Sequence, residues 1–132
     1  MHHFSLRVYY EDTDLGGIVY YANYLKFIER ARSEWVRERG VDQAALRAGR
    51  GTLFAVRRVV ADYLAPARFD DLLAVRTTVG AVTGARIGLL QEIRRGTERL
   101  FVADVTLVCL TPTGAATRIP ADIRQKLFPD QE

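Results

Sequence analysis

The chain has 132 residues, 48% of them hydrophobic, a formal net charge of +3 and one cysteine, Cys109. That length fits a single domain, and that apolar content is enough to bury a core, which excludes a disordered chain. One cysteine excludes an intrachain disulfide and fits a reducing, cytoplasmic setting. No charged-then-apolar leader is visible, and no apolar run approaches the roughly 20 residues of a membrane span. The arginines are spread along the chain, with no dense basic stripe, so no nucleic-acid partner is expected.

Residues 5–11 alternate, with Leu6, Val8 and Tyr10 on one side and Arg7, Tyr9 and Glu11 on the other. This predicts a half-buried strand. Residues 12–17 read as a turn on composition. Over 22–39 the period becomes helical: Tyr24, Phe27, Ile28, Ala31, Trp35 and Val36 form one apolar stripe, and charged residues fill the rest. Gly40 suits a helix stop, and 42–50 fits either a short helix or a loop. Strands are predicted over 53–64, 72–82, 86–94 and 99–111, the last two gaps being short enough for antiparallel hairpins. Pro120 precedes a short helix over 121–127. The expected architecture is α+β, one domain over 1–132, with a curved antiparallel sheet of about five strands wrapped around one long helix.

The chemistry concentrates in residues 9–23, YYEDTDLGGIVYYAN. Carboxylates and a glycine-loosened backbone arrive there just before a helix N-terminus, which carries unpaired N–H groups and partial positive charge. A carboxylate beside backbone donors is the minimum equipment for hydrolysing an acyl compound. Asp14 is the candidate carboxylate, while Asp12 reads as a turn residue. Gly16 and Gly17 permit a tight turn and also let a substrate approach the backbone. Asn23 either supports the loop through its side chain or caps the helix. Tyr24, Phe27 and Trp35 read as core or subunit contacts.

Other chemistries lack their residues. The only histidines are His2 and His3, so a Ser-His-Asp or Cys-His site has no base in the folded body. One cysteine and two terminal histidines make no zinc set. The acidic turn resembles a calcium loop only until its closing position, where Asn23 stands instead of an acid. No metal and no bound cofactor is expected.

The stretches YYEDTDLGGIVYYANYLKFIERAR and VADYLAPARFDDLLAVRT resemble the hotdog-fold acyl-CoA thioesterases of the 4-hydroxybenzoyl-CoA thioesterase superfamily, in particular the YbgC-like, Tol–Pal-associated branch. The resemblance implies a sheet wrapped around a long helix, an acyl-CoA substrate, and homodimers or homotetramers with active sites at the dimer interface. It implies catalytic roles for Asp14, for the Tyr21 backbone N–H as oxyanion donor, and for Tyr10 beside the site. Gly17 and Ile18 become candidate substrate contacts. Arg57 and Arg94, among Arg58, Arg68, Arg86 and Arg95, become candidate contacts to coenzyme A phosphates. Many members of the branch carry His at the position of Tyr21; the backbone donor survives that change, since any non-proline residue supplies an N–H. The absence of a body histidine argues against a hotdog hydratase. A hotdog module that binds acyl-CoA or acyl-carrier protein without turnover is the rival expectation.

Overall fold

The computed structural model describes residues 1–130. Five strands form one antiparallel sheet: β1 (His2–Arg7), β2 (Leu53–Tyr63), β3 (Leu72–Val82), β4 (Arg86–Arg95) and β5 (Glu98–Leu110), in the spatial order β1-β3-β4-β5-β2. Three helices accompany them: α1 (Asn23–Glu38), α2 (Gln43–Arg50) and α3 (Ala121–Leu127). The expected helix-on-sheet arrangement is present, with α1 lying over β1, β3 and β4.

The apolar stripe of α1 supplies the core. Phe27 and Ala31 are fully buried against sheet residues such as Leu73, Val75, Ile93 and Phe101. One polar side chain joins them: buried Gln91 on β4 donates from Nε2 to the Ile28 carbonyl at 2.9 Å and to Thr77 Oγ1 at 3.0 Å. These bonds tie the helix to the sheet where slippage of packed apolar groups would otherwise be cheap. The helix stops where Gly40 takes φ +81°, with Gly40 N–H bonded to the Arg37 carbonyl and Val41 N–H to the Val36 carbonyl. That is the glycine-terminated cap expected at this position. The 42–50 segment is a helix, because Asp42 Oδ1 accepts the Ala45 N–H at 3.0 Å and Gly51 closes the other end at φ +69°.

The first strand differs from expectation, beginning at His2 rather than Ser5. It ends at Arg7 rather than Glu11, and residues Tyr10–Asp12 turn into one 3-10 turn. Alternation alone cannot see the competing bond: the Asp12 carboxylate accepts the Tyr9 N–H at 2.8 Å and bends the chain out of the sheet. Tyr10 therefore does not continue the inward face of Val8, and it is 78% exposed. The second strand, β2, is an edge strand with a bulge between Val56 and Arg58. Its Val56, Val59, Val60 and Tyr63 remain exposed.

Replacing Phe27 with Ala leaves a cavity where helix meets sheet. The expected loss is about 3–5 kcal/mol of folding stability, read by urea denaturation beside Glu34→Ala on the solvated face, which should change stability by less than about 0.5 kcal/mol.

Candidate active site

The site is built on the connection from β1 to α1. Asp12 is buried, and its carbonyl accepts two hydrogen bonds, from the Tyr20 N–H at 2.9 Å and from Asn23 Nδ2 at 2.9 Å. Asn23 thus supports the loop from the first residue of α1, and Asp12 has the structural role its turn composition suggested. Between these anchors the chain makes a miniature hairpin. Thr13 bridges Val19, the Asp14 N–H donates to the Ile18 carbonyl at 2.9 Å, and the Gly17 N–H returns to the Asp14 carbonyl at 3.0 Å.

Asp14 stands at the tip of this hairpin with an exposed side chain. Its Oδ1 accepts the Gly16 N–H at 2.8 Å. A Cβ on Gly16 would lie 3.2 Å from that oxygen, and Gly17 takes φ +80°. The two glycines therefore do different things: Gly16 leaves room for the carboxylate folded over it, and Gly17 supplies the left-handed backbone of the turn. The other carboxylate oxygen has no hydrogen-bond partner among the described residues.

The start of α1 follows this hairpin in the chain. The Tyr20 carbonyl accepts the Asn23 N–H at 2.8 Å, while the N–H groups of Tyr21 and Ala22 have no acceptor among the described residues. No side chain caps this helix end. Backbone donors at the positive end of a helix are thereby left free for an outside acceptor.

The segment after β2 closes the site. The Val19 N–H bonds to the Ala67 carbonyl at 2.8 Å, and Ile18 bridges Arg68. Tyr24 reaches the same segment, its hydroxyl accepting the Ala67 N–H at 3.0 Å. A cleft of about 340 Å³ results, lined by Ile18, Val19, Tyr21, Tyr24, Tyr63 and the Leu64–Pro66 stretch. Asp71 pins the far side of this segment, accepting from the Arg68 N–H at 2.8 Å and from Arg95 Nη1 at 2.7 Å. Burial alone would raise the Asp71 pKa. The Arg68 N–H and the Arg95 guanidinium outweigh it and hold the carboxyl below its ordinary value.

Asp14, Gly17, Ile18 and Tyr21 all lie on this one connection, and of the four Ile18 and Tyr21 line the cleft. Tyr10 lies on the adjoining 3-10 turn, its ring stacked on Phe69 at 4.1 Å and 5°. Arg57 and Arg94 do not line the cleft. Arg57 is the extra residue of the β2 bulge and is exposed. Arg94 lies on the sheet face away from α1, in register with Ala74 and Arg99, and pairs with Glu92 at 3.0 Å. Two contributors were invisible in the sequence, Tyr63 and Phe69. An aromatic residue at a strand end carries no functional signal, and only the β2–β5 register places Tyr63 at the cleft. A larger cavity, about 510 Å³, sits at the other end of α1 around Arg37 and Gly40–Ala44 and holds none of these groups.

Residues 16–102 match the family model described as the thioesterase superfamily. The chain belongs to this family. The matched span begins two residues after Asp14. This thioesterase is 44% identical over 108 residues to the acyl-CoA thioester hydrolase YbgC of Escherichia coli O6:H1, covering 81% of this chain and 80% of that one. It is 45% identical over 107 residues to the acyl-CoA thioesterase YbgC of Haemophilus influenzae, covering 81% and 79%. Among solved structures, a probable thioesterase from Bartonella henselae superposes with a TM-score of 0.87 at 37% identity, covering 90% of this chain and 98% of that one. The fold is the hotdog fold, and the chain is a thioester hydrolase. No helix among the described residues is long and apolar enough to cross a membrane.

Asn23→Ala removes a buried donor and leaves the Asp12 carbonyl one bond short. A loss of about 1–3 kcal/mol in thermal or urea unfolding is expected, with turnover falling as the turn loosens. Asp71 contributes stability above its unfolded-state pKa, and that contribution is lost as pH falls through its lower folded value. Asp71→Asn should therefore be less stable than the parent at neutral pH and converge with it as pH falls through that lowered folded value, which urea titrations across pH will read.

Proposed function

We propose that this protein is an acyl-CoA thioesterase, RCO–S–CoA + H₂O → RCOOH + CoA-SH, with Asp14 as its reacting carboxylate. The observation that carries this reading is the pairing of an exposed carboxylate, held by the Gly16 N–H, with unclaimed backbone donors at Tyr21 and Ala22. The thioester carbonyl oxygen sits at the Tyr21 N–H, which stabilises the charge that develops there. Asp14 either attacks the carbonyl carbon, expelling CoA thiolate and leaving a mixed anhydride that water hydrolyses, or takes a proton from the attacking water. Label found in Asp14 after a single turnover in ¹⁸O-labelled water establishes the anhydride route with water attacking the Asp14 carboxyl carbon, since general-base catalysis places none there. The sequence relatives, both YbgC acyl-CoA hydrolases by name, support the substrate class.

The rest of the site follows from assembly. The β2 edge is 11 residues long and presents Val56, Val59 and Val60 to solvent at 45%, 37% and 47% exposure. A long apolar edge left open invites pairing, and antiparallel pairing of two identical edges closes it about a two-fold axis. A second copy there, alone or as half of a tetramer, walls the open side of the cleft. Tyr10 and Phe69 shape the mouth beside Gly17 and Ile18. Arg57, exposed on the bulge of that edge and without an ion-pair partner among the described residues, is the better candidate for a coenzyme A phosphate. Arg94 already has Glu92. The setting is the cytoplasm, in keeping with the single reduced cysteine Cys109.

Asp14→Asn keeps the shape and removes the charge. Thiol release from a panel of acyl-CoA esters should fall by about 10²–10⁴-fold. Equal release by both proteins would remove Asp14 from the chemistry. Tight ester binding with no release by either would replace catalysis with a binding role. Val59→Lys should shift the sedimentation profile toward monomer and lower activity in step.

A further inference from the structure

The Tyr21 carbonyl has an unusual partner. The first turn of α1 does not use it, since the Leu25 N–H bonds to the Ala22 carbonyl at 3.2 Å instead. The Tyr63 hydroxyl donates to it at 2.9 Å. Tyr63 is the last residue of β2, in register with Phe101 of β5, so the donor is carried on the sheet. Its ring is held edge-on by Phe101 at 5.1 Å and by Tyr24 at 5.4 Å. Tyr24 itself stacks on Phe101 at 5.2 Å and 12°. The phenol is thereby fixed in direction by packing rather than by the hydrogen bond it makes.

Consider what that bond does. Tyr63 is 48% exposed, so water could satisfy the Tyr21 carbonyl nearly as well, and the bond adds little to folding stability. Its effect is on position. Tyr21 is gripped on both sides: the preceding carbonyl, of Tyr20, by the Asn23 N–H, and its own carbonyl by Tyr63. Those bonds restrict the rotation of the two peptide planes that carry the free N–H groups of Tyr21 and Ala22. Each plane also has its carbonyl engaged, which polarises the N–H at its other end.

We infer that Tyr63 is a positioning residue of the hydrolysis: its hydroxyl, through the Tyr21 carbonyl, aims the backbone donors that receive the thioester oxygen. This rests on the thioesterase reading given above. Desolvation, followed by the neighbouring Tyr21 and Tyr24, pushes the Tyr63 phenol upward, so it stays a donor through the neutral range. Donors aimed before the substrate arrives need no reorganisation as charge develops, so the loss on freeing them falls on kcat rather than on binding.

The test is Tyr63→Phe, which keeps the ring contacts and deletes only the hydroxyl. With acyl-CoA esters, kcat should fall about tenfold while KM stays within about twofold. A second readout is the infrared carbonyl band of an acyl-CoA ester bound to Asp14→Asn, whose slowed turnover leaves time to record the bound ester. The band should lie below its solution frequency and move part of the way back in Asp14→Asn/Tyr63→Phe. An unchanged kcat in Tyr63→Phe overturns the inference. So does an unmoved band, including one that accompanies reduced stability, because a purely structural role would leave the bound carbonyl as it was. A wild type that releases no thiol overturns the thioesterase reading itself. A wild type that turns over and is matched by Tyr63→Phe overturns the role of Tyr63 alone.

Discussion

The site depends on one buried carbonyl, that of Asp12. It accepts from the backbone of Tyr20 and from the side chain of Asn23 at the same time. A buried carbonyl has two lone pairs to satisfy, and here both bonds cross from the acidic turn to the start of α1. The carboxylate and the helix end therefore belong to one rigid unit, although residues 13–19 between them form a separate small hairpin. Catalytic groups gain from being fixed to fractions of an ångström, and one polar atom under cover achieves that more firmly than surface contacts would. The exposed state of Asp14 follows from the same design, since its supports lie beneath it.

The helix, in turn, is held by two kinds of force. Tyr24, Phe27, Ile28, Ala31, Trp35 and Val36 give it its apolar burial, and that energy is almost indifferent to small sliding along the axis. Gln91 is not indifferent, because its amide meets one particular helix carbonyl. Tyr24 adds a second fixed point near the N-terminus through its bond to Ala67. Apolar packing thus gives the stability of the helix–sheet contact, and a few polar bonds give its register.

Much of this was legible in the residues. The stripe from Tyr24 to Val36, the glycine stop at Gly40 and the short hairpin gaps each follow from local rules and are present as expected. Asp14 and the start of α1 could be considered together because both lie within 15 residues of sequence, the span 9–23. What stayed hidden was non-local. Tyr63 reached the cleft through strand register, and Phe69 met Tyr10 across the loop after β2. No window along the chain contains those partners together. Two local bonds escaped for another reason: alternation and charge do not say which side chain turns back on its neighbour, as Asp12 does on Tyr9 and Arg94 on Glu92.

The strand order has a consequence for how the chain reaches its fold. The first strand in sequence and the second occupy opposite edges of the sheet, and both must wait for strands made later. β1 and α1 leave the ribosome without the surface that covers them, since β3 and β4 follow tens of residues on. The β3–β4–β5 meander is the only part of the sheet whose neighbours in space are also neighbours in sequence. It is the natural nucleus, closed by two short hairpins, onto which the helix and then the two edges dock. The amphipathic segment that becomes α1 therefore stays uncovered until the meander forms, with Phe27 and Trp35 on its apolar side. Its many charges, from Lys26 to Glu38, keep that waiting segment soluble until the meander arrives.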